Sequence, residues 1–430
     1  MLSSGFTKIV LICSSAVLFA VMLLALTSSS INAKEVWTLK APIVTFIPGP
    51  PVTDQSAKLM KEGSWNVVWC VNKQELDVAQ KYGLKGILYD DRFSPALMSN
   101  PDKAVEFEKL VESVKNHPAL DQYFIADEPS TSVFPSIIKM TALVNKHDTS
   151  HLAYVNLYPT YCSAEGLGTK GDLVTAYQEY LERYIAEVKP QLLSYDNYQF
   201  FVGVDGTQYF LNLELVRKAS LKHNIPFINV IQACSWDPNV RVPTGNELRF
   251  LTYTSVAYGA QGISHYCYWR YAPEYRGMIV DDNGKPTYLY SAAKYANRDF
   301  VAIATELMQT KSLGAYHVGM LPPGTVALPK NAAFRITSSD AEAEYSKPLE
   351  VGKPVKGFVL GYFGTKGSRE PSHVVVVNLD YNKSVKATLA GPGKLEIFDP
   401  ATRTWYSTYK SSADLDLVPG GGVLVRVAGK

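Results

Sequence analysis

The sequence predicts an α/β fold, a (β/α)8 TIM barrel followed by a small C-terminal β-sandwich domain. From Ala41 onward, short apolar runs alternate with longer amphipathic runs, until the pattern changes after about Gly319. The apolar runs are nearly continuous, which is typical of parallel strands that are covered on both faces. Eight strand–helix units fit a barrel whose usual size is roughly 250 residues. A doubly wound open sheet is the main alternative, but no G-x-G-x-x-G follows the first apolar run.

We assign the barrel to residues 40–310 and take one strand from each apolar run. Amphipathic segments of helical period lie between the runs, for example KQELDVAQKYG after the second one. Thr244 and Glu247 have capping-box spacing, which predicts the start of the helix after the seventh strand. The predicted strands are PIVTFIPGPP from residue 42, WNVVWC at 65–70, KGILYDD at 85–91, YFIAD from 123, LAYVNLYP at 152–159, LLSYDNY at 192–198, PFINVIQACSW at 226–236 and GISHYCYW at 262–269.

Residues 319–430 are assigned to the β-sandwich. Short β-type runs such as HVVVVNLDY, KLEIFDP and GVLVRVAG are separated there by Gly, Pro, Asn and Asp turns. Dense short strands with such turns between them are typical of a sandwich.

The first 33 residues predict a targeting segment. Lys8 is the single charge before an apolar run from Ile9 to Leu26, and a polar stretch follows. This pattern indicates a secretory signal peptide with cleavage after Ala33. The apolar run is also long enough to span a bilayer as an uncleaved anchor. In either case we expect the rest of the chain to be secreted or extracytoplasmic, at the cell surface or in a periplasm.

The overall composition excludes several classes of partner. The net charge is +2, so no strong field attracts nucleic acid or an anionic membrane. No C-x-x-C or H-E-x-x-H motif is present, so we expect neither a metal site nor another cofactor. An exported chain can form disulfides, but the spacing of Cys70, Cys162, Cys234 and Cys267 does not say whether they pair.

Acidic residues gather where the predicted strands end, which is where barrels of this type carry their chemistry. Asp90 and Asp91 follow the third strand, Asp127 and Glu128 the fourth, and Asp196 the sixth. Helix capping or ion pairing explains Asp90 and Asp91 equally well. We favour a functional role for Glu128, and for Asp196 because no helix begins directly after it.

Amides and aromatic rings lie at the same strand ends, and together with the acids they suggest a carbohydrate site. Cleavage of a glycosidic bond commonly needs two carboxyl groups, about 5 Å apart in retaining enzymes and roughly 6.5–9.5 Å apart in inverting ones. The further candidate substrate-binding residues are Trp69, Asn156, Tyr158, Tyr195, Tyr198, Gln232, Trp236, His265 and Trp269.

The stretch ADEP at residues 126–129 resembles the end of strand four in clan A glycoside hydrolases, most closely the family 42 β-galactosidase-like domain. The resemblance implies that Glu128 is the acid/base residue. Asp127 stands where the clan has asparagine. Strand seven, where the clan carries its nucleophile, contains no acid, and Gln232 is the nearest match. Asp196 is therefore the best candidate for the second carboxylate.

Two alternatives remain open. LSYD and ADE also resemble motifs of family 18 chitinases and family 20 hexosaminidases. That resemblance implies a substrate-assisted reaction in which the acetamido oxygen of the sugar attacks, Glu128 protonates the leaving group and Asp196 orients the acetamide. Alternatively, the chain is a carbohydrate-binding barrel that has lost hydrolysis, with Gln232 as the lesion.

Overall fold

The structure is a computed structural model, and it describes residues 36–342 and 352–429. The predicted signal peptide or anchor, residues 1–33, lies outside the described residues. The part of the chain from Trp37 to Lys430 forms one unit by its internal contacts. No helix in the described ranges is long and apolar enough to cross a membrane.

Between Ile43 and Leu307, strands and helices alternate eight times in the described chain. The strands are β1 (Ile43–Ile47), β2 (Val67–Cys70), β3 (Lys85–Leu88), β4 (Leu120–Asp127), β5 (Leu152–Asn156), β6 (Leu193–Asp196), β7 (Phe227–Gln232) and β8 (Gly262–Tyr266). The helices are α1 (Asp54–Glu62), α2 (Lys73–Lys81), α3 (Pro101–Val114), α4 (Phe134–His147), α5 (Leu173–Val188), α6 (Tyr209–His223), α7 (Gly245–Ala257) and α8 (Tyr288–Leu307). This confirms the α/β class.

The eight strands form two four-stranded parallel sheets, in the orders β2-β3-β4-β5 and β1-β8-β7-β6. Leu157 N donates to Ser194 O at 2.8 Å where β5 meets β6, and Asn66 N donates to Val44 O at 3.1 Å where β1 meets β2. The single closed ladder expected of a barrel is therefore interrupted at two junctions. At the β1–β2 junction the reason is local, because the side-chain Oδ1 of Asn66 accepts from Val44 N at 2.8 Å in place of a strand partner.

Sequence signals set several helix boundaries. The capping box predicted at Thr244 and Glu247 is confirmed, since each side chain accepts a hydrogen bond from the other residue's backbone N–H. Asn72, directly after β2, caps α2 by accepting from Glu75 N at 2.9 Å. Helix α4 has a proline in its first turn and no side-chain cap. Neither Asp127 nor Ser130 caps this helix.

After α8 the described chain is almost entirely β, beginning at Thr310. The longer strands are β9 (Thr310–Gly319), β10 (Arg335–Ser339), β11 (Gly357–Thr365), β12 (His373–Asn378), β13 (Val385–Ala390), β14 (Leu395–Asp399), β15 (Thr404–Ser407), β16 (Ser412–Leu417) and β17 (Gly422–Val427). A mainly antiparallel seven-stranded sheet, which includes the short strand Val326–Ala327, faces a three-stranded sheet of β10, β13 and β16.

Each face of the large sheet has its own apolar partner. Phe358, Leu360 and Tyr362 point from β11 into a core shared with the three-stranded sheet. The opposite face of β11 packs on helix α7, where a Cβ at Gly361 would lie 2.0 Å from Ala257 O. Glycine is required at this position because the strand and the helix backbone approach so closely.

Candidate active site

A cleft of about 690 Å³ lies at the carboxyl ends of β3, β4 and β5. Its walls come from residues 89–91 after β3, from residues 124–130 at the end of β4, and from Tyr158 after β5. The carboxyl ends of parallel strands are where α/β folds place ligand sites. The cleft therefore lies at the expected end of the fold.

Glu128 follows β4 directly and has an unusual backbone conformation. Its φ is +43°, in the left-handed region that costs a non-glycine residue of order 1 kcal/mol. The backbone N–H of Glu128 donates to Asn156 O at 2.9 Å, which holds this conformation against β5. A strained backbone maintained by a neighbouring strand is typical of a residue that is positioned for function.

The structure brings Glu128 and Asp196 together. The charge of Glu128 raises the pKa of the Asp196 carboxyl group, so the two side chains are near enough to interact. Asp196 ends β6 and is 5% exposed. Asp196 Oδ1 has no hydrogen-bond partner among the described residues.

Burial and mutual repulsion keep a proton on this pair near neutral pH. Burial, with the negative charge of Asp127 added, raises the pKa of Glu128 to about 7, although an interaction with the Asp196 carboxyl group opposes the rise. Burial and the charges of Glu128 and Asp127 raise the pKa of Asp196 well above its usual range. Both shifts favour the protonated form, which is what a general acid needs.

Asp127 is a further carboxyl group of the cleft, next to Glu128 in the sequence. Burial raises its pKa, while a hydrogen bond from Asn156 Nδ2 to Asp127 Oδ1, at 3.1 Å, opposes the rise. Asn156 Oδ1 in turn accepts from Ser194 Oγ at 2.9 Å. The amide of Asn156 is thereby fixed between β4 and β6 and orients Asp127.

Gln232 is fully buried at the end of β7 and is committed to the main chain. Its Oε1 accepts from Phe200 N at 2.9 Å, and its Nε2 donates to Phe200 O at 3.1 Å and to Arg241 O at 2.9 Å. The side chain therefore holds two loops together. This placement accounts for an amide here, because a carboxylate could not donate to the carbonyl oxygens.

Asp90 and Asp91 line the cleft after β3. Arg92 binds Asp90 through two side-chain hydrogen bonds, of 2.7 and 2.6 Å. Burial alone would raise the pKa of Asp90, but these bonds lower it overall. Asp91 is exposed, at 3.5 Å from Tyr89 Oη. The structure thus gives Asp90 the ion pair that the sequence left as an alternative.

Two groups of aromatic rings flank the carboxyl groups. Tyr198 stacks on Tyr266 at 5.2 Å between ring centroids and contacts Trp236 at 4.7 Å. On the β2–β4 side, Trp69 packs against Phe124 at 4.7 Å. Flat rings beside a cleft offer surfaces on which the apolar faces of a sugar can stack.

Three candidate binding residues are placed away from the cleft. Tyr195 is fully buried, and the phenols nearest to it belong to the helices rather than to the strand ends. His265 is fully buried beside Trp65, and burial lowers its pKa to about 4, so its ring is neutral. Trp269 packs half-buried against the main core.

Sequence reasoning missed two residues in the loop after β5. Burial and the charges of Asp196 and Glu128 raise the pKa of Tyr161, although this residue is still 46% exposed. The pKa of Cys162 is raised by burial and by the charge of Glu128. Both residues therefore lie near the acid pair. Their position in the sequence could have indicated this, because the loop after strand five lies at the same rim as Tyr158.

The described residues contain no group of three or more His, Cys, Asp or Glu arranged to hold a metal ion. The cleft instead offers carboxyl groups, one of them protonated near neutral pH, beside aromatic rings. Such a site can donate a proton to a leaving oxygen and bind a neutral polar ring.

No protein-family model matches the chain, and no curated protein matches it by sequence. By structure it is similar to a β-galactosidase from Bacillus circulans sp. alkalophilus, with a TM-score of 0.61 and 8% identity over 91% of this chain and 100% of that one. It is also similar to a glycoside hydrolase family 5 protein from Bacteroides vulgatus ATCC 8482, with a TM-score of 0.54 and 11% identity over 90% of each chain. The chain therefore shares the fold of these glycoside hydrolases.

Proposed function

We propose that this protein is a glycoside hydrolase that cleaves O-glycosidic bonds of oligo- or polysaccharides, with Glu128 as the general acid. The observation that carries the proposal is that Glu128 lines a cleft at the strand ends, near the buried carboxyl group of Asp196. The proposal includes a (β/α)8 barrel of the clan A type and an extracytoplasmic location, as residues 1–33 predict.

The state of Glu128 suits acid catalysis. A carboxyl group with a pKa of about 7 is half protonated near neutral pH and can give its proton to a leaving glycosidic oxygen. The same combination of burial and a neighbouring carboxyl group is how glycosidases keep an acid protonated. The strained backbone of Glu128 supports the inference that its side chain is held in position for function.

The burial and raised pKa of Asp196 favour a second, finer proposal, a substrate-assisted reaction on 2-acetamido sugars. Burial and the charges of Glu128 and Asp127 raise the pKa of Asp196 well above its usual range, and a protonated carboxyl group is neither a nucleophile nor a base. Asp196 is therefore poorly suited as a separate nucleophile or base. If the acetamido oxygen of the substrate attacks the anomeric carbon, no enzymic nucleophile is needed.

Asp196 has a free acceptor for such a substrate. Its Oδ1 lacks a hydrogen-bond partner in the described chain. An acetamide N–H bound by this oxygen would turn its carbonyl toward the anomeric carbon. The departing group would then take its proton from Glu128.

The proposal is tested on matched aryl glycosides and oligosaccharides that carry either a 2-acetamido or a 2-hydroxy group. Substrate assistance predicts turnover of the acetamido series alone, with an oxazoline intermediate, and its loss in Asp196→Asn. Turnover of 2-hydroxy sugars would contradict substrate assistance. A glycosyl azide formed when azide rescues Asp196→Asn would then indicate an enzymic nucleophile or base. Binding of sugars without any turnover would overturn the hydrolase and leave a carbohydrate-binding protein.

A further inference from the structure

The tips of β7 and β8 carry two cysteines whose sulfur atoms are in contact. Cys234 Sγ and Cys267 Sγ are 3.2 Å apart, and both side chains are fully buried. Both are free thiols in the structure. The sulfur atoms of a disulfide are about 2.05 Å apart, so the pair is about 1 Å from bonding distance.

The two cysteines follow the ends of neighbouring strands. Gln232 and Tyr266 are directly paired in the parallel ladder of β7 and β8, and Ala233 N donates to Tyr266 O at 2.6 Å. Neighbouring strands lie about 4.8 Å apart, and a disulfide spans roughly 4.4–6.8 Å between Cα atoms. The ladder therefore brings together the two segments that carry the cysteines.

A covering segment seals the sulfur atoms from solvent. Cys234 pairs with Gly277 in a short antiparallel ladder, and Tyr275 and Met278 pack over both thiols. Burial also raises the pKa of the Cys267 thiol, so little reactive thiolate exists once the chain is folded. The time at which an oxidant can reach the pair is during folding, before the segment closes.

We propose that Cys234 and Cys267 form a disulfide bond when the chain folds in an oxidising compartment. The oxidant is the disulfide of a thiol–disulfide oxidoreductase. One cysteine thiolate attacks that disulfide to give a mixed disulfide, and the second cysteine displaces the catalyst. Two S–H bonds of the chain become one S–S bond, and the catalyst leaves as a dithiol that carries both hydrogen atoms.

The bond would fix the group of aromatic rings around Tyr198. Tyr266 directly precedes Cys267, and Trp236 lies two residues after Cys234. Both rings contact Tyr198. The proposal concerns the redox state of the chain and does not depend on hydrolase activity.

The test uses the full chain exported to a bacterial periplasm and denatured without reductant in an excess of iodoacetamide. Peptide mass spectrometry should find the Cys234 and Cys267 peptides linked, lighter by two hydrogen atoms than the two thiol peptides together. Cys70, which has no neighbouring thiol among the described residues, and Cys162 should be alkylated. The same chain made in a reducing cytosol should show Cys70, Cys162, Cys234 and Cys267 all alkylated.

Two results would overturn the proposal. One is full alkylation of both cysteines in the exported chain. The other is a link from either cysteine to Cys70 or Cys162. A Cys162→Ala variant is the matched control, and it should keep the same linked peptides after export.

Discussion

Replacing Glu128 with glutamine should stabilise the folded protein at neutral and alkaline pH. Burial and the charge of Asp127 raise the pKa of this carboxyl group from 4.5 to about 7. Each pKa unit corresponds to 1.36 kcal/mol, so ionisation in the folded state is disfavoured by about 3 kcal/mol. Solvent that reaches the cleft weakens the effect. We therefore expect Glu128→Gln to raise the free energy of unfolding by about 2 kcal/mol above pH 7.

The sign follows from proton binding. Between pH 4.5 and about 7, the folded protein holds a proton on Glu128 that the unfolded chain has lost. The stability of the wild type is therefore fully present below that window and declines as pH rises through it. Glutamine has no charge to bury, so the variant should lack this component of the decline.

Urea unfolding at pH 4, 6 and 8 measures the difference directly. The gain in Glu128→Gln should be smallest at pH 4 and largest at pH 8. Glu165→Gln is the matched control, because Glu165 is exposed near the same rim and should show no such gain. A gain that is the same at every pH, or a loss at pH 8, would refute a buried carboxyl group with a raised pKa at position 128.

Three further predictions follow from individual contacts. Asp127→Asn removes the charge that helps to raise the pKa of Glu128, so the alkaline limb of the kcat/KM profile should move to lower pH. Gln232→Ala leaves buried backbone groups of two loops without partners and should lower the free energy of unfolding by about 2–4 kcal/mol, measured in urea. Tyr381→Phe removes a hydrogen bond from the C-terminal sheets to Asp205 and should cost about 1–3 kcal/mol in the same measurement.

The order of strands and helices could be predicted because apolar runs and amphipathic runs differ in period. The capping box at Thr244 is a local signal and was also predictable. The interruption at the β1–β2 junction was not, since the Asn66 side chain that replaces a strand partner reads in the sequence as one more polar loop residue. The first strand after α8 begins at Thr310. This start was not predictable, because the apolar pattern at this point does not distinguish the end of a helix from the start of a strand.

The site was harder to predict because side chains alternate between the two faces of a strand. A near-continuous apolar strand gives no signal of which face its last residues occupy. Asp196 meets Glu128, so its neighbour Tyr195 points the other way, into the tyrosines of the helices. The same ambiguity made Gln232 look like a residue of the cleft, whereas its amide is bound to backbone groups.

Only some of the contacts between residues that are distant in the sequence could be predicted. The acids on β4 and β6 could be brought together from the sequence by elimination, since strand seven has none. Ion pairing was one prediction for Asp90, and the structure pairs it with Arg92. The sequence alone did not distinguish this pairing from a role in binding. Tyr161 and Cys162 approach the acid pair through the path of a loop, which no periodicity describes.

The central claim, that Glu128 is the general acid of a glycosidase, is tested most directly by kcat/KM for an unactivated oligosaccharide identified in the substrate panel. Glu128→Gln should lower kcat/KM by about 10²–10⁴-fold relative to the wild type, the usual contribution of acid catalysis. The loss should be smaller for aryl glycosides with good leaving groups, and Glu165→Gln should match the wild type. If Glu128→Gln hydrolysed the unactivated substrate within a few-fold of the wild-type rate, Glu128 would not be the acid.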